Sequence, residues 1–197
     1  MTFDKLADRC LLFVDERKQM LIELLKEAEL ELTRRCNIYE MHEFIGNISS
    51  SMESFRLPSN YKQIIQITYD GDKLYPIEED EVDYDNSTST HGLRTGTPTG
   101  YFIRNESLIL DRLPSSGTIR YSYYATVDEI QDQDADPSPI ISMQYHRDLC
   151  DYAVAVAYAK TDSGMHDKFI GYWENSIARI MEQQRDRELI HEIKGEI

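Results

Sequence analysis

Basic residues are scarce in this chain: 21 Lys and Arg stand against 36 Asp and Glu, a formal net charge of −15. A surface that holds nucleic acid rests on Lys and Arg neutralising phosphates, so that function class is excluded. Long apolar runs are absent too. No stretch approaches the roughly 20 residues a membrane span needs, and the opening Met1-Thr2-Phe3-Asp4 lacks the apolar core of a signal peptide. Cysteines number only three. Cys10, Cys36 and Cys150 are odd in count, scattered, and set in helical pattern. They read as small buried hydrophobes of a reducing compartment, not as disulfide partners or zinc ligands.

Catalytic signatures are also missing. There is no Gly-x-Ser-x-Gly elbow, no His-Glu-x-x-His and no dinucleotide fingerprint. Glu188-x-x-His191 has the i,i+3 spacing of ligands on one helix face, but a di-iron bundle needs two such pairs and further glutamates. Glu40 and His42 are i,i+2 and point apart on a helix. His91, His146 and His166 have no partner visible in the sequence. The acidic run Glu78, Glu79, Asp80, Glu81, Asp83, Asp85 lacks the glycine and terminal glutamate of a calcium loop. It reads as a solvated face. No catalytic residue, metal or cofactor is expected.

What is present is a change of period. The chain has 197 residues, 41% of them apolar, enough for one globular domain or a domain with a sizeable insertion. From Asp4 to Leu32 the residues Leu6, Cys10, Phe13, Val14, Met20, Leu21, Leu24, Leu25, Ala28 and Leu32 form one helical stripe. The stretch from Arg35 to Ile48 predicts a second short helix. Asp136-Pro137-Ser138-Pro139 breaks the chain, and a helix restarts over Ile140 to Thr161. Its alternating alanines, from Ala153 to Ala159, let other helices approach closely. Ser163-Gly164 then turns tightly into a last helix, Met165 to Ile193, striped with Phe169, Trp173, Ile177, Ile180 and Met181. From Glu182 to Glu188 no residue is apolar. Leu189, Ile190, Ile193 and Ile197 follow, an apolar tip that is either a frayed tail or a docking element for another chain.

From Leu57 to Ala125 the period drops to two. Asp70-Gly71 and Asn105-Glu106 mark hairpins, and Pro114 to Gly117 turns into a strand whose Ile119, Tyr121 and Tyr123 share a face. The Ser/Thr/Gly stretch from Asn86 to Gly100 is too polar for a core position and reads as a mobile loop that orders on a partner. The predicted fold is α+β: a bundle of three to four helices (1–54 and 127–197) with an inserted small antiparallel sheet of five or six strands (55–126).

The run from Leu57-Pro58 through Ile65-Gln66-Ile67-Thr68-Tyr69-Asp70-Gly71 and Leu74 to Thr95-Gly96-Thr97-Pro98-Thr99-Gly100-Tyr101 resembles tailed-phage head-to-tail adaptor, or connector, proteins. Leu108 to Asp111, Pro114 to Gly117, Ile119 to Ala125, Tyr145-His146, Leu149 and Tyr152-Ala153 continue the likeness. The resemblance implies a structural virion protein of the neck, made in the host bacterial cytoplasm. It implies a ring, commonly twelve-fold, of neighbouring copies beneath the portal protein. Such a ring extends the DNA channel used in genome ejection and offers a platform for tail or nozzle proteins. Double-stranded DNA passes through it without specific binding, and no membrane is involved. The tip residues Leu189, Ile190, Ile193 and Ile197 match the portal-docking segment of such proteins, and the acidic run Glu78 to Asp85, or Asp128 to Asp136, is a candidate channel lining. Two other readings stay open: a stopper or tail-completion protein lower in the neck, and a metal-dependent hydrolase of a bundle type.

Overall fold

The computed structural model describes residues 1–45, 48, 54–82, 84–85, 92–127 and 139–195, with side chains left undescribed at 84, 85 and 186–195. The chain divides into two compact units, Met1–Tyr39 with Thr126–Ile197, and Glu40–Ala125.

The first unit holds α1 (Phe3–Cys10), α2 (Lys18–Arg35), α3 (His146–Tyr158) and α4 (Ser163–Gly195). The single helix expected over Asp4 to Leu32 is therefore two. A straight helix would carry the stripe of α2 away from that of α1; folding back buries both in one core with Phe3, Leu6, Leu21, Leu25 and Leu32. The reversal falls where Leu12 and Phe13 stand 79% and 54% exposed. The Lys18 ammonium secures it, pairing with Asp4 and Asp8 of α1 at 2.9 and 2.6 Å.

The last two helices are joined at Asp162, whose carboxylate accepts the Met165 N–H at 3.1 Å and caps α4. Ser163 and Gly164 are thus the first residues of α4 and not a linker. α3 packs against all three other helices. Its Ala153, Ala155 and Ala157 are buried, the small side chains that permit such close approach. Between α3 and α4 the buried Asp148 accepts from the Ser176 hydroxyl at 2.7 Å, and Arg35 at the end of α2 grips Glu174 of α4 through two bonds of 2.6 and 2.7 Å.

Two polar side chains, Glu29 and Thr33, lie fully buried one turn apart on α2. Thr33 Oγ1 accepts the Val127 N–H at 3.1 Å, and Glu29 Oε1 accepts the Ile141 N–H at 2.9 Å. They satisfy backbone donors that would otherwise be stranded in the core.

The second unit comprises β1 (Glu40–Ile45), β2 (Ser54–Arg56), β3 (Tyr61–Tyr69), β4 (Asp72–Pro76), β5 (Tyr84–Asp85), β6 (Gly92–Leu93), β7 (Gly100–Arg104), β8 (Ser107–Leu110) and β9 (Ile119–Ala125). Seven of these form one sheet in the order β1-β9-β3-β4-β7-β8-β2, while β5 and β6 form a separate ribbon. The expected fold class is corrected here. The β-region is a seven-stranded mixed sheet curled into a half-barrel beside four helices, not a small antiparallel insert in a bundle.

Two misread features account for the difference. Glu40–Ile45, expected within a helix, is an edge strand paired with β9 from Glu40↔Tyr124 to Ile45↔Ile119. Most of its side chains are exposed, so it carries no clean alternation to betray it. The second feature is the parallel pairing of β4 with β7, Tyr75↔Gly100 and Pro76↔Tyr101. It needs a long crossover, which the chain supplies through residues 77–99.

Both predicted hairpins form. Asp70 and Gly71 (φ 49° and 98°), and Asn105 and Glu106 (φ 50° and 59°), adopt the left-handed backbone of tight two-residue turns. Gly117 precedes β9 at φ 145°, and a Cβ there would stand 2.5 Å from the Tyr69 ring. The Tyr69 hydroxyl donates to the Ser116 carbonyl beside it.

Burial pushes the Glu29 carboxyl above its usual 4.5, an effect partly offset by the N–H groups of Ile141 and Ile140. The folded state therefore holds this proton more tightly than the unfolded chain. The stability linked to it is fully present below the unfolded value and is lost as pH rises through the folded one. Glu29→Gln mimics the protonated form at every pH. Urea unfolding from about pH 4.5 to pH 8 should show the wild type losing stability relative to Glu29→Gln as pH rises; a pH-independent difference would count against a buried, titrating carboxyl.

Candidate functional site

α4 is one continuous helix of 33 residues, roughly 50 Å long at 1.5 Å per residue. Its buried face, Phe169, Trp173, Ile177 and Ile180, ends halfway. Beyond it Met181, Glu182, Gln183 and Arg185 are exposed. The helix runs on to Gly195, roughly 22 Å past its last core residue. The polar run from Glu182 to Glu188 is thus helical by its backbone, between the last described core residue and the apolar run. Leu189, Ile190 and Ile193 belong to this helix by their backbone, with Leu189 and Ile193 one turn apart. Their side chains, and Ile197 altogether, lie outside the described residues.

The acidic run is organised by local bonding. Glu79–Glu81 form a single 3-10 turn, with Glu78 and Glu81 capping each other through a reciprocal box; the Glu78 N–H meets Glu81 Oε2 at 3.1 Å. Glu79 pairs with Arg104 of β7 at 2.5 Å. All four of Glu78, Glu79, Asp80 and Glu81 are exposed. Asp83 lies outside the described residues and Asp85 is described only by its backbone in β5, as does the run Asp128 to Asp136 lie outside.

Beside this turn the sheet opens. The β3–β4 ladder covers only Ile67↔Leu74 to Tyr69↔Asp72, and Pro76 has no N–H to extend it. The first half of β3 and the body of β7 therefore part around a cleft of about 450 Å³. Tyr61, Ile64, Ile77, Tyr101 and Ile103 line it, with Glu78 and Glu79 on its rim. Gly100 lets β7 approach β4 at the closed end, where a Cβ would come within 2.8 Å of Ile77.

The described part of the Ser/Thr/Gly stretch, residues 92–100, does supply a core position, contrary to its polar composition. Leu93 is buried in a small core with Val82, Phe102, Ile109 and Leu113. The Gly96 N–H donates to the Leu113 carbonyl at 2.9 Å. Asp111 accepts both the Thr99 N–H at 3.0 Å and the Thr99 hydroxyl at 2.9 Å. Residues 86–91 of that stretch lie outside the described residues.

A long helix projecting past its core and a curled sheet built on the two predicted hairpins are features of a scaffold. The model of the SU10 adaptor protein family matches residues 1–191. The chain belongs to that family. It is a family of phage head-to-tail adaptors, as the strand and turn pattern had indicated. No curated protein matches the chain in sequence. Among the described residues of this adaptor-family chain, no group of three or more His, Cys, Asp and Glu side chains could hold a metal ion, and no helix is long and apolar enough to cross a membrane.

The individual candidates fall as follows. Glu40 and His42 are not on a helix. They share one face of β1 and pair at 3.6 Å, both well exposed. The side chains of Glu188 and His191, and all of His91, lie outside the described residues. His146 Nε2 meets the Ile141 carbonyl at 3.2 Å, and His166 Nδ1 meets that of Ala155 at 2.9 Å. Both partners are backbone atoms, which no side-chain motif in a sequence reveals.

Asp111→Ala removes both bonds to Thr99 while leaving β7 and β8 paired. Amide exchange at Thr99 should quicken by about tenfold or more, the effect of losing roughly 1.5 kcal/mol of hydrogen bonding to a charged acceptor. Unchanged exchange at Thr99 would show that the strand ladder alone orders this segment.

Proposed function

We propose that this chain is a structural, non-catalytic subunit of a phage neck, assembling as a ring of about twelve copies beneath the portal protein. The ring extends the DNA channel and carries tail or nozzle components on its far side. Family membership supports the adaptor role. The observation that carries the finer reading is the second half of α4, a helix whose described residues past Ile180 add no apolar side chain to the buried core and whose sequence ends in an apolar run.

Docking that tip on portal would bury Leu189, Ile190 and Ile193, worth roughly 4–8 kcal/mol before ordering costs. Removing residues 186–197 should leave the melting temperature of the subunit unchanged, since the deleted side chains follow the last core residue. The truncated chain should no longer co-elute with purified portal in size-exclusion chromatography with light scattering. Portal binding at full-length affinity would overturn the docking role.

The charge serves the same reading. Twelve copies at −15 each set a field on the order of −180 formal charges before counterions, which repels a passing duplex from the wall. The acidic turn Glu78 to Glu81, exposed as it is, is a candidate part of the lumen surface. Filter binding of the purified assembly to duplex DNA at low salt, where screening is weakest, should give no retention. Tight, salt-sensitive binding would reveal a basic surface and end the picture of a repelling channel.

A further inference from the structure

Three cysteines far apart in sequence give two that meet in space. Cys10 ends α1 and Cys150 lies in the second turn of α3; the two thiols lie near enough for each to shift the other's ionisation. A second contact locates the pair independently. Cys150 Sγ lies 3.9 Å from the carbonyl oxygen of Leu6, one turn before Cys10 on α1. Both cysteines are buried, at 0% and 8% exposure, while Cys36 follows the end of α2.

We propose that Cys10 and Cys150 are a covalent cross-linking site, forming an intramolecular disulfide in the folded chain when it meets hydrogen peroxide. The Cys150 sulfur attacks one peroxide oxygen. The O–O bond breaks, leaving Cys150 as a sulfenic acid and releasing water. The Cys10 sulfur then attacks the Cys150 sulfur; the S–O bond breaks, and the departing hydroxide takes the Cys10 proton as a second water. Two thiols are oxidised by two electrons, and one peroxide is reduced to two waters.

The nearby Cys10 and the Arg9 guanidinium both favour a thiolate at Cys150, so the Cys150 thiol is held below its ordinary value. Cys10 beside it is pushed well above its own. The bond would fasten the first helix of the chain to the helix on which all the others pack. One consequence rests on the neck reading: a subunit folded reduced in the cytoplasm would gain this tie once the released particle meets an oxidising medium. The cross-link itself is tested on the isolated full-length protein, so its failure leaves the neck reading untouched.

Reduced protein is treated with millimolar hydrogen peroxide under native conditions, then digested and mapped without reduction. The expected result is a peptide pair joined through Cys10 and Cys150, an intact mass lower by about 2 Da, and an unoxidised thiol left at Cys36. The melting temperature should rise by about 5 °C or more, because the bond closes a loop spanning most of the chain. Cys36→Ser should behave as the wild type, and Cys10→Ser should gain neither the link nor the shift. Peptide mapping of the wild type decides the question even if a variant folds poorly. Three persistent free thiols, a link through Cys36, a dimer, or oxidation of Cys150 onward to a sulfinic acid would each overturn the proposal.

Discussion

The helical unit depends on two hydrogen-bond acceptors buried on α2. The β-unit is inserted between α2 and α3, so the chain must leave the helical core and come back into it. Re-entry brings backbone N–H groups at Val127 and Ile141 into apolar surroundings. An unpaired buried donor costs roughly 1–3 kcal/mol, a large share of the stability of a domain this size. Thr33 and Glu29 meet those donors one turn apart, and the segment leading into α3 is thereby fixed. α3 is the helix against which α1, α2 and α4 all pack. Within the β-unit, β1 begins opposite the end of β9, at Glu40↔Tyr124. The outgoing and returning strands are therefore neighbours, and the insertion closes on itself with a ladder instead of a long linker.

Burial divides the remaining residues into those that build the units and those left over. On α4 the division falls after Ile180. Before it, the stripe and the bonds from Asp148 and Arg35 hold the helix; after it, Met181, Glu182, Gln183 and Arg185 are exposed. The acidic turn divides more finely, because Glu78 and Glu81 cap one another and Glu79 grips Arg104. Much of what looks in sequence like a block of free negative charge is local architecture. Such exposed contacts are worth little in stability, but they hold the carboxylates in defined places on the rim of the cleft.

The parts legible in the sequence were those with a local cause. Asp70-Gly71 and Asn105-Glu106 announce hairpins because few residues tolerate positive φ, and β9 is plain because Ile119, Tyr121 and Tyr123 alternate into a core. The illegible parts have distant causes. β1 is a strand only because β9 offers it a ladder, and its exposed side chains leave no period to read. The break between α1 and α2 is invisible to a stripe count, since Phe13 and Val14 continue the helical spacing until the chain reverses. The parallel pairing of β4 with β7 follows from Pro76 and a crossover, and no periodicity encodes it. Leu93 sits among threonines and glycines, so a composition average hides the one side chain that anchors the segment. The contact of Cys10 with Cys150 is likewise a property of helix packing, not of spacing.

That the tip of α4 sits on a helix, not on a loose tail, matters for any partner it meets. The two polar turns from Glu182 to Glu188 would be marginal as an isolated helix, because nucleating the first turn is unfavourable. Here nucleation has already occurred: the turns from Phe169 to Ile180 are locked in the core, and those beyond need only propagate. Propagation through Glu182 to Glu188 asks little, since Glu, Gln and Arg are good helix formers. A tip presented on such a stem gives up less conformational freedom on docking than a disordered segment would, so more of the apolar contact survives as affinity. A sequence that is polar for seven residues and then apolar is difficult to account for by folding alone; as a preformed arm for another chain, each half of the pattern has a cause.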